Sequence, residues 1–407
     1  MRRSFFIVSL PALTLALFSS VAEAQEPQTR AEEKRREREE KSRALTPPKQ
    51  GGLEKALKDL ESGRLFERIL NPAEGLYPKI GHITTGSGFS LGPGYRHAGL
   101  FGGQATFSTF AAASFTQYWA IDARLQFPQL AAGRVFLDVH AQRYDFPDED
   151  FFGLGPDSVR QNFVEYGLTN TVIGASAAFR PRRLVFNAAL EYLDPKINAQ
   201  TEPGRVFSIF TPDQMPGALV QPDFLRYEGG VEFNTRTPRG NPRRGGRYAV
   251  NVERFEDLDM DQFAFNRVEL DLQQYVPFVH DRRVLALHGL VSFSDADAGA
   301  EVPFYLQRTL GGPDDLRGFR IFRFRDKHAL LLQGEYRWEI FTAVDGAIFY
   351  DAGKVASRAE DINFEDLEHN YGIGFRFGTI NGTFLRIEGA FGSRDGKHFI
   401  LRFHNVF

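Results

Sequence analysis

From about Tyr77 to Phe407 the chain alternates apolar and polar residues with a period of two, in segments separated by turn residues. In 263–277, Val268, Leu270 and Leu272 oppose Arg267, Glu269, Asp271 and Gln273. In 330–340, Leu332, Tyr336, Trp338 and Ile340 oppose Gln333, Glu335, Arg337 and Glu339. In 371–378, Tyr371, Ile373, Phe375 and Phe377 oppose Gly372, Gly374, Arg376 and Gly378. A chain patterned this way must form strands with one apolar and one charged face. Two architectures satisfy it. A soluble sandwich turns its polar faces to water, whereas a membrane barrel turns them to its lumen and its apolar faces to lipid.

Alternation alone does not separate the two, so other features must. Forty phenylalanines, thirteen tyrosines and thirty-nine glycines coexist with a mean hydropathy of −0.32. In a membrane barrel, lipid-facing and lumen-facing residues cancel in such an average. The N-terminus carries Arg2 and Arg3, an apolar stretch from Phe5 to Phe18, and Ala22-Glu23-Ala24. That is the form of a secretory signal peptide over 1–24. No later run is long and apolar enough for a membrane helix. Aromatics at segment ends (Tyr118, Trp119, Tyr144, Tyr166, Tyr192, Tyr275 and Phe278) suggest interfacial girdles. The final segment places Phe399, Leu401, Phe403, Asn405 and Phe407 on one face. Together these favour a single transmembrane β-barrel over 77–407.

Fifteen segments can be delimited, beginning with 83–95. An even strand number is the rule for such barrels, so sixteen antiparallel strands are expected, the missing one within 76–100 or 200–222. Residues 25–76 read as a charged linker followed by a short amphipathic helix, with Leu53, Ala56, Leu57 and Leu60 on one helical face. A net charge of −3 gives no case for nucleic acid. The absence of cysteine removes disulfide and metal-thiolate frameworks. Neither a G-x-S-x-G spacing nor metal-ligand histidine spacing is present, so neither an enzyme nor a cofactor is expected.

The stretch Leu310–Arg325 interrupts the alternation. Long loops of this kind are usually functional. Its core is Leu316-Arg317-Gly318-Phe319: a forked, permanently charged donor, a glycine for a tight turn, and an aromatic to pack it down. Glu335 stands on the charged face of the next segment, and Phe349 and Asp351 share a face on the one after. An arginine folded back into the lumen could therefore meet two carboxylates on adjacent strands.

These residues resemble the BamA/TamA family of outer-membrane assembly factors (the bacterial surface antigen family). The motifs carrying the resemblance are Leu316-Arg317-Gly318-Phe319, Gly334-Glu335-Tyr336-Arg337 and Phe349-Tyr350-Asp351-Ala352-Gly353, with Gly311-Gly312 and Phe151-Phe152-Gly153-Leu154-Gly155. The resemblance implies a long loop after the eleventh strand, with Arg317, Gly318 and Phe319 at its tip. Glu335 and Asp351 receive it, and Gly311, Gly312, Phe349 and Gly353 support it. It implies a C-terminal assembly signal including Phe403 and Phe407. It also implies insertion or translocation of proteins at the bacterial outer membrane, through a lateral seam between about 83–95 and 396–407. Outer-membrane lipids, lipopolysaccharide and unfolded outer-membrane proteins would be the partners. Residues 25–76 are too few for the family's POTRA repeats, so a short member is expected. A passive pore or structural barrel is the alternative.

Overall fold

The computed structural model describes residues 74–199, 205–279, 281–341, 343–379, 382–402 and 407. The expected signal peptide, charged linker and amphipathic helix, and Phe403, lie outside the described residues. Sixteen strands form one sheet in which every strand is antiparallel to its neighbours. The first half comprises β1 (Gly75–Gly81), β2 (Ser90–Gly99), β3 (Ala105–Ser114), β4 (Trp119–Gln129), β5 (Val135–Phe151), β6 (Val164–Phe179), β7 (Leu184–Asn198) and β8 (Phe224–Asn234). It continues through β9 (Gly245–Asp257), β10 (Phe265–Phe278) and β11 (Arg283–Ala296). The long loop follows and contains a two-stranded ribbon, β12 (Arg308–Leu310) with β13 (Phe324–Asp326). Five strands complete the sheet: β14 (His328–Phe341), β15 (Val344–Ala356), β16 (Glu368–Thr379), β17 (Gly382–Ser393) and β18 (Gly396–Arg402).

Burial is inverted relative to a water-soluble protein. On β16 the outward Tyr371, Ile373 and Phe375 are about half exposed, while Arg376, which follows them, is buried. On β10, Val268, Leu270 and Leu272 are exposed and Gln273 is buried. On β14, Glu335 and Arg337 are buried. An apolar outer surface repeated strand after strand, around a charged interior, suits lipid rather than water. This is what distinguishes the transmembrane barrel from the sandwich.

The segment expected at 83–95 covers the turn between β1 and β2 and the first half of β2. Ser87 organises the turn: its hydroxyl accepts from the backbone N–H groups of Ile83 and Thr84 and donates to the Thr84 carbonyl. The missing strand is therefore β1, within 76–100. Gly92 and Gly94 belong to β2, opposite Lys79 and Tyr77 of β1. The seam strand is thus 75–81 and not 83–95.

The girdle assignment also needs correction. Tyr118, Tyr166 and Tyr275 are buried. Tyr144 faces inward and its hydroxyl accepts from the Asn170 side chain. Period two, not nearness to a strand end, fixes which side an aromatic takes. Phe278 is exposed on the outer face as expected, and further outward aromatics are Phe179 with Phe186 and Phe233 with Tyr248, stacked across neighbouring strands.

Turns at one end are short and those at the other are long. The short-turn end is the periplasmic side of such barrels and the long-loop end the outer side. At the long-loop end, Phe151, Tyr166, Phe210, Phe224, Phe255, Phe265 and Phe304 form one buried apolar cluster.

Candidate functional site

The loop between β11 and β14 enters the lumen and seats its tip on the inner wall of β14–β17. Gly311 has a φ of 114°, and a side chain there would collide with the Arg320 carbonyl. Gly318 is needed for a different reason. Its backbone is not left-handed, but a Cβ would lie 2.5 Å from Asn370 Cβ and 3.1 Å from Ser393 Cβ. It is a glycine of close approach to β16 and β17 rather than of a strained turn. Phe319 is buried beside Leu310, Leu316 and Phe324, and meets Phe324 edge-on at 5.1 Å between ring centres.

Arg317 is completely enclosed. Its Nε and Nη2 donate to the two oxygens of Asp351 at 2.8 and 2.6 Å. Its Nη1 donates to Glu335 Oε1 at 2.6 Å and to Glu388 Oε1 at 3.3 Å. The guanidinium also lies 3.4 Å from the centre of the Phe349 ring. Burial opposes the charge on Arg317, but Asp351 and then Glu335 outweigh it, so its pKa is raised.

More residues hold the tip than the sequence motif named. Glu335 also accepts from Arg337 Nε at 2.7 Å and from Arg376. Asp351 also accepts from Asn370 at 2.9 Å. Arg386 donates to the Pro313 carbonyl at 2.9 Å and to Asp314 at 2.8 Å. Gln333 donates to the Asp315 carbonyl at 2.8 Å, and the Ser393 hydroxyl to that of Gly318. Glu388, Arg376 and Arg386 are visible in the sequence only as inward positions of alternating strands, where nothing local marks them as part of the seat of a loop so distant in the chain. The Asp315 carboxyl, at the tip, is pushed by burial up to about 6.

A second anchor lies above the first. Arg323 donates to the Ser158 hydroxyl and carbonyl at 2.7 and 2.8 Å, and its Nε reaches Asp395 at 3.1 Å. The Gly155 N–H donates to the Arg325 carbonyl at 2.9 Å. The Phe151–Gly155 segment thus belongs to a loop that clasps the long loop, with Phe151 and Phe152 buried. Gly312 packs near Ile321, and Gly353 leaves room for Leu310 and Leu316.

Phe407 is placed apart from these groups. It lies on the inner side, 5.0 Å from the His288 ring and beside Arg337, and its carbonyl accepts from the Tyr275 hydroxyl at 3.0 Å. Phe399 and Leu401 face outward and are exposed, so the terminal residue leaves the face they share.

The wall across the lumen is open. A cavity of about 670 Å³ is lined by Asp138, His140, Asn170, Glu191, Arg226 and Arg267 among others. There His140 meets Asp138 at 2.8 Å and Glu191 at 3.3 Å.

Residues 221–394 match the Omp85 superfamily domain. Among solved structures, BamA from Haemophilus ducreyi lacking POTRA domains 1-3 superposes with a TM-score of 0.62 at 15% identity, over 84% of this chain and 77% of that one. At that identity the likeness speaks for the fold alone. OpdL of Pseudomonas aeruginosa aligns at 14% identity over 77% of this chain and 92% of that chain, with a TM-score of 0.37, too low to carry an argument.

Proposed function

We propose that the chain, which matches the Omp85 superfamily domain over residues 221–394 and is similar in fold to a BamA barrel, is a barrel of the BamA/TamA type that resides in the bacterial outer membrane and assists insertion or translocation of proteins there through the seam between β1 and β18. Its partners would be outer-membrane lipids, lipopolysaccharide and unfolded outer-membrane proteins. It would act as an assembly barrel and not as an enzyme.

The observation that carries this reading is the weakness of the first strand. β1 is seven residues long, against ten to seventeen for β2 to β11 and β14 to β17. Pro78 on β1 stands opposite Pro93 on β2. Neither proline has an N–H to give, and proline within a sheet is confined to edge strands and bulges. An edge held this loosely suits addition of a client strand. A cavity of about 360 Å³ beside β18, lined in part by Phe319, Ile321, Ile400 and Arg402, gives the loop tip and that edge a common space.

The test is a folding assay. The mature chain is reconstituted into liposomes, a urea-unfolded outer-membrane protein is added, and folding is scored by heat-shifted gel mobility. Faster folding than with empty liposomes or with a porin supports the proposal. Folding no faster than with the porin sinks it. The second reading, a passive pore, draws on the 670 Å³ cavity, and single-channel conductance would decide it.

A further inference from the structure

At the short-turn end, four consecutive turns concentrate positive charge. The β4–β5 turn carries Arg134, and the β6–β7 turn carries Arg180, Arg182 and Arg183. The β8–β9 turn adds Arg236, Arg239, Arg243 and Arg244, and the β10–β11 turn adds Arg282 and Arg283. Against these ten arginines, the four turns (130–136, 179–185, 234–246 and 278–284) contain one acidic residue, Asp281. Arg243 is turned inward to Asp345, and Arg236 to Gln273. Arg244 pairs with Asp281. Arg180 lies over the Phe136 ring and lines the lumen cavity. The other six are exposed, and no ion pair is made by any of them among the described residues. The other short turns of this rim, 99–105, 341–344 and 379–382, carry no arginine or lysine. The charge is therefore an arc on one side of the barrel, across from β1 and β18.

The arc is held as a unit by its backbone. The Arg180 N–H donates to the Arg134 carbonyl at 2.7 Å, and the Asn234 N–H to the Arg183 carbonyl at 2.8 Å. The Glu339 N–H donates to the Arg282 carbonyl at 2.8 Å. Neighbouring turns along a sheet stand about 10 Å apart, twice the strand spacing. Its height is fixed by what adjoins it. Phe179, Leu184, Phe186, Phe233, Tyr248, Phe278 and Val279 are exposed on the outer, lipid-facing surface. Phe179 directly precedes Arg180, and Leu184 directly follows Arg183. Arginines just beyond an aromatic girdle lie where lipid phosphates lie, and a guanidinium suits a phosphate in a bidentate manner.

We infer that this arginine arc is a docking surface for anionic phospholipid headgroups of the membrane leaflet at the short-turn end. It recruits a shell of anionic lipid on the side of the barrel away from the seam. The inference rests on the transmembrane reading of the barrel but not on any insertase activity.

The chain supplies its own reporters. It has two tryptophans. Trp338 on β14 is the register partner of Arg283, at the end of the arc. Trp119 begins β4 at the opposite rim. The mature chain is refolded into vesicles of phosphatidylglycerol and phosphatidylcholine at fixed composition, with brominated acyl chains on one lipid or the other. In W119F, Trp338 should be quenched at least twofold more when bromine is on phosphatidylglycerol. In W338F, Trp119 should show no preference. R180Q/R183Q/R282Q/R283Q should abolish the Trp338 preference while retaining heat-modifiable mobility. Equal quenching by both lipids at Trp338 in the folded protein overturns the inference, and points instead to an acidic protein or no partner for the arc. Failure to gain heat-modifiable mobility in any vesicle would count against the transmembrane reading itself, so the two failures are distinct.

Discussion

The two sides of the lumen handle charge in opposite ways. Along β14–β17, the carboxylates of Glu335, Asp351 and Glu388 are enclosed with Arg317, Arg337, Arg376 and Arg386, and all seven side chains are 3% exposed or less. Across from them, the Arg226, Glu191, Glu228 and Glu253 side chains keep between 13% and 23% exposure around a cavity roomy enough for water. The enclosed side has no slack: Arg376 Nε and Arg386 Nε find no acceptor among the described groups. An enclosed ion cluster is weak evidence for stability, yet losing one member is costly because the others stay buried and unpaired. The contrast teaches that the same residue types fix a loop position on one wall and merely keep the other wall wet.

Removing Arg317 should break the contrast most severely. Arg317→Ala leaves Asp351 with only uncharged donors: Gln333, Asn370 and the backbone N–H of residue 317. The loop tip should release at a cost of roughly 3–5 kcal/mol, the range for stripping one partner from a buried pair. The sheet should still form, because its sixteen-strand ladder does not pass through residue 317. Limited proteolysis within 310–326, beside heat-modifiable mobility of the whole chain, checks both halves of this expectation. Unchanged protection of the loop would argue that Arg317 does not hold it.

That pairing was legible in the sequence because its three members fall in regular contexts. Period two assigned Glu335 to the inward face and put Asp351 on one face with Phe349, the family resemblance implied Asp351 as a partner, and Arg317 stood in a loop too long to be a simple turn. The pairing of Arg323 with Ser158 was not legible: it spans 165 residues between two irregular loops, and no periodicity reaches across them. Strand count was recoverable, but β1 was missed and the first segment was begun in the turn that follows it. A seven-residue strand containing Pro78 gives too little alternation to separate it from a glycine-rich neighbour. The inward course of Phe407 was hidden for a similar reason: alternation predicts a face only while the strand continues.

Gly318→Ala should have a smaller effect on the same wall. The added methyl would stand 2.5 Å from Asn370 Cβ, so β16 or the tip must shift. Overpacking of this kind costs about 1–3 kcal/mol. The unfolding midpoint should fall while Arg317 keeps its charge partners. A midpoint unchanged from the parent would show that the tip is not seated as closely on β16 as described.

A graded effect should come from Asp315. Its carboxyl is raised to about 6 by burial at the tip. The docked loop therefore favours the protonated acid. That contribution is complete below the ordinary carboxylate range and is lost as pH rises through about 6. Proteolysis of the loop should be slower at about pH 5 than at about pH 7.5, and Asp315→Asn should flatten that difference. A slope unchanged in the asparagine variant would assign the pH response to another group.

The smallest effect should arise on the open wall, and it sharpens the comparison from the other side. Arg226 meets Glu191, Glu228 and Glu253 at 2.8, 3.4 and 2.8 Å, a set as dense in charge as the seat of Arg317. Each carboxylate, however, has another partner: His140 for Glu191, Asn187 for Glu228 and Arg267 for Glu253. The side chain is also 22% exposed, so water can take over what it releases. Arg226→Gln should cost about 1 kcal/mol or less, as for a solvated pair. It leaves three glutamates facing the cavity, so conductance, where present, should shift towards cations. Measuring its denaturation midpoint beside that of Arg317→Ala tests the division of the lumen directly. Equal losses would mean that enclosure does not separate the two walls, and that the loop seat is one part of a barrel held by charge throughout.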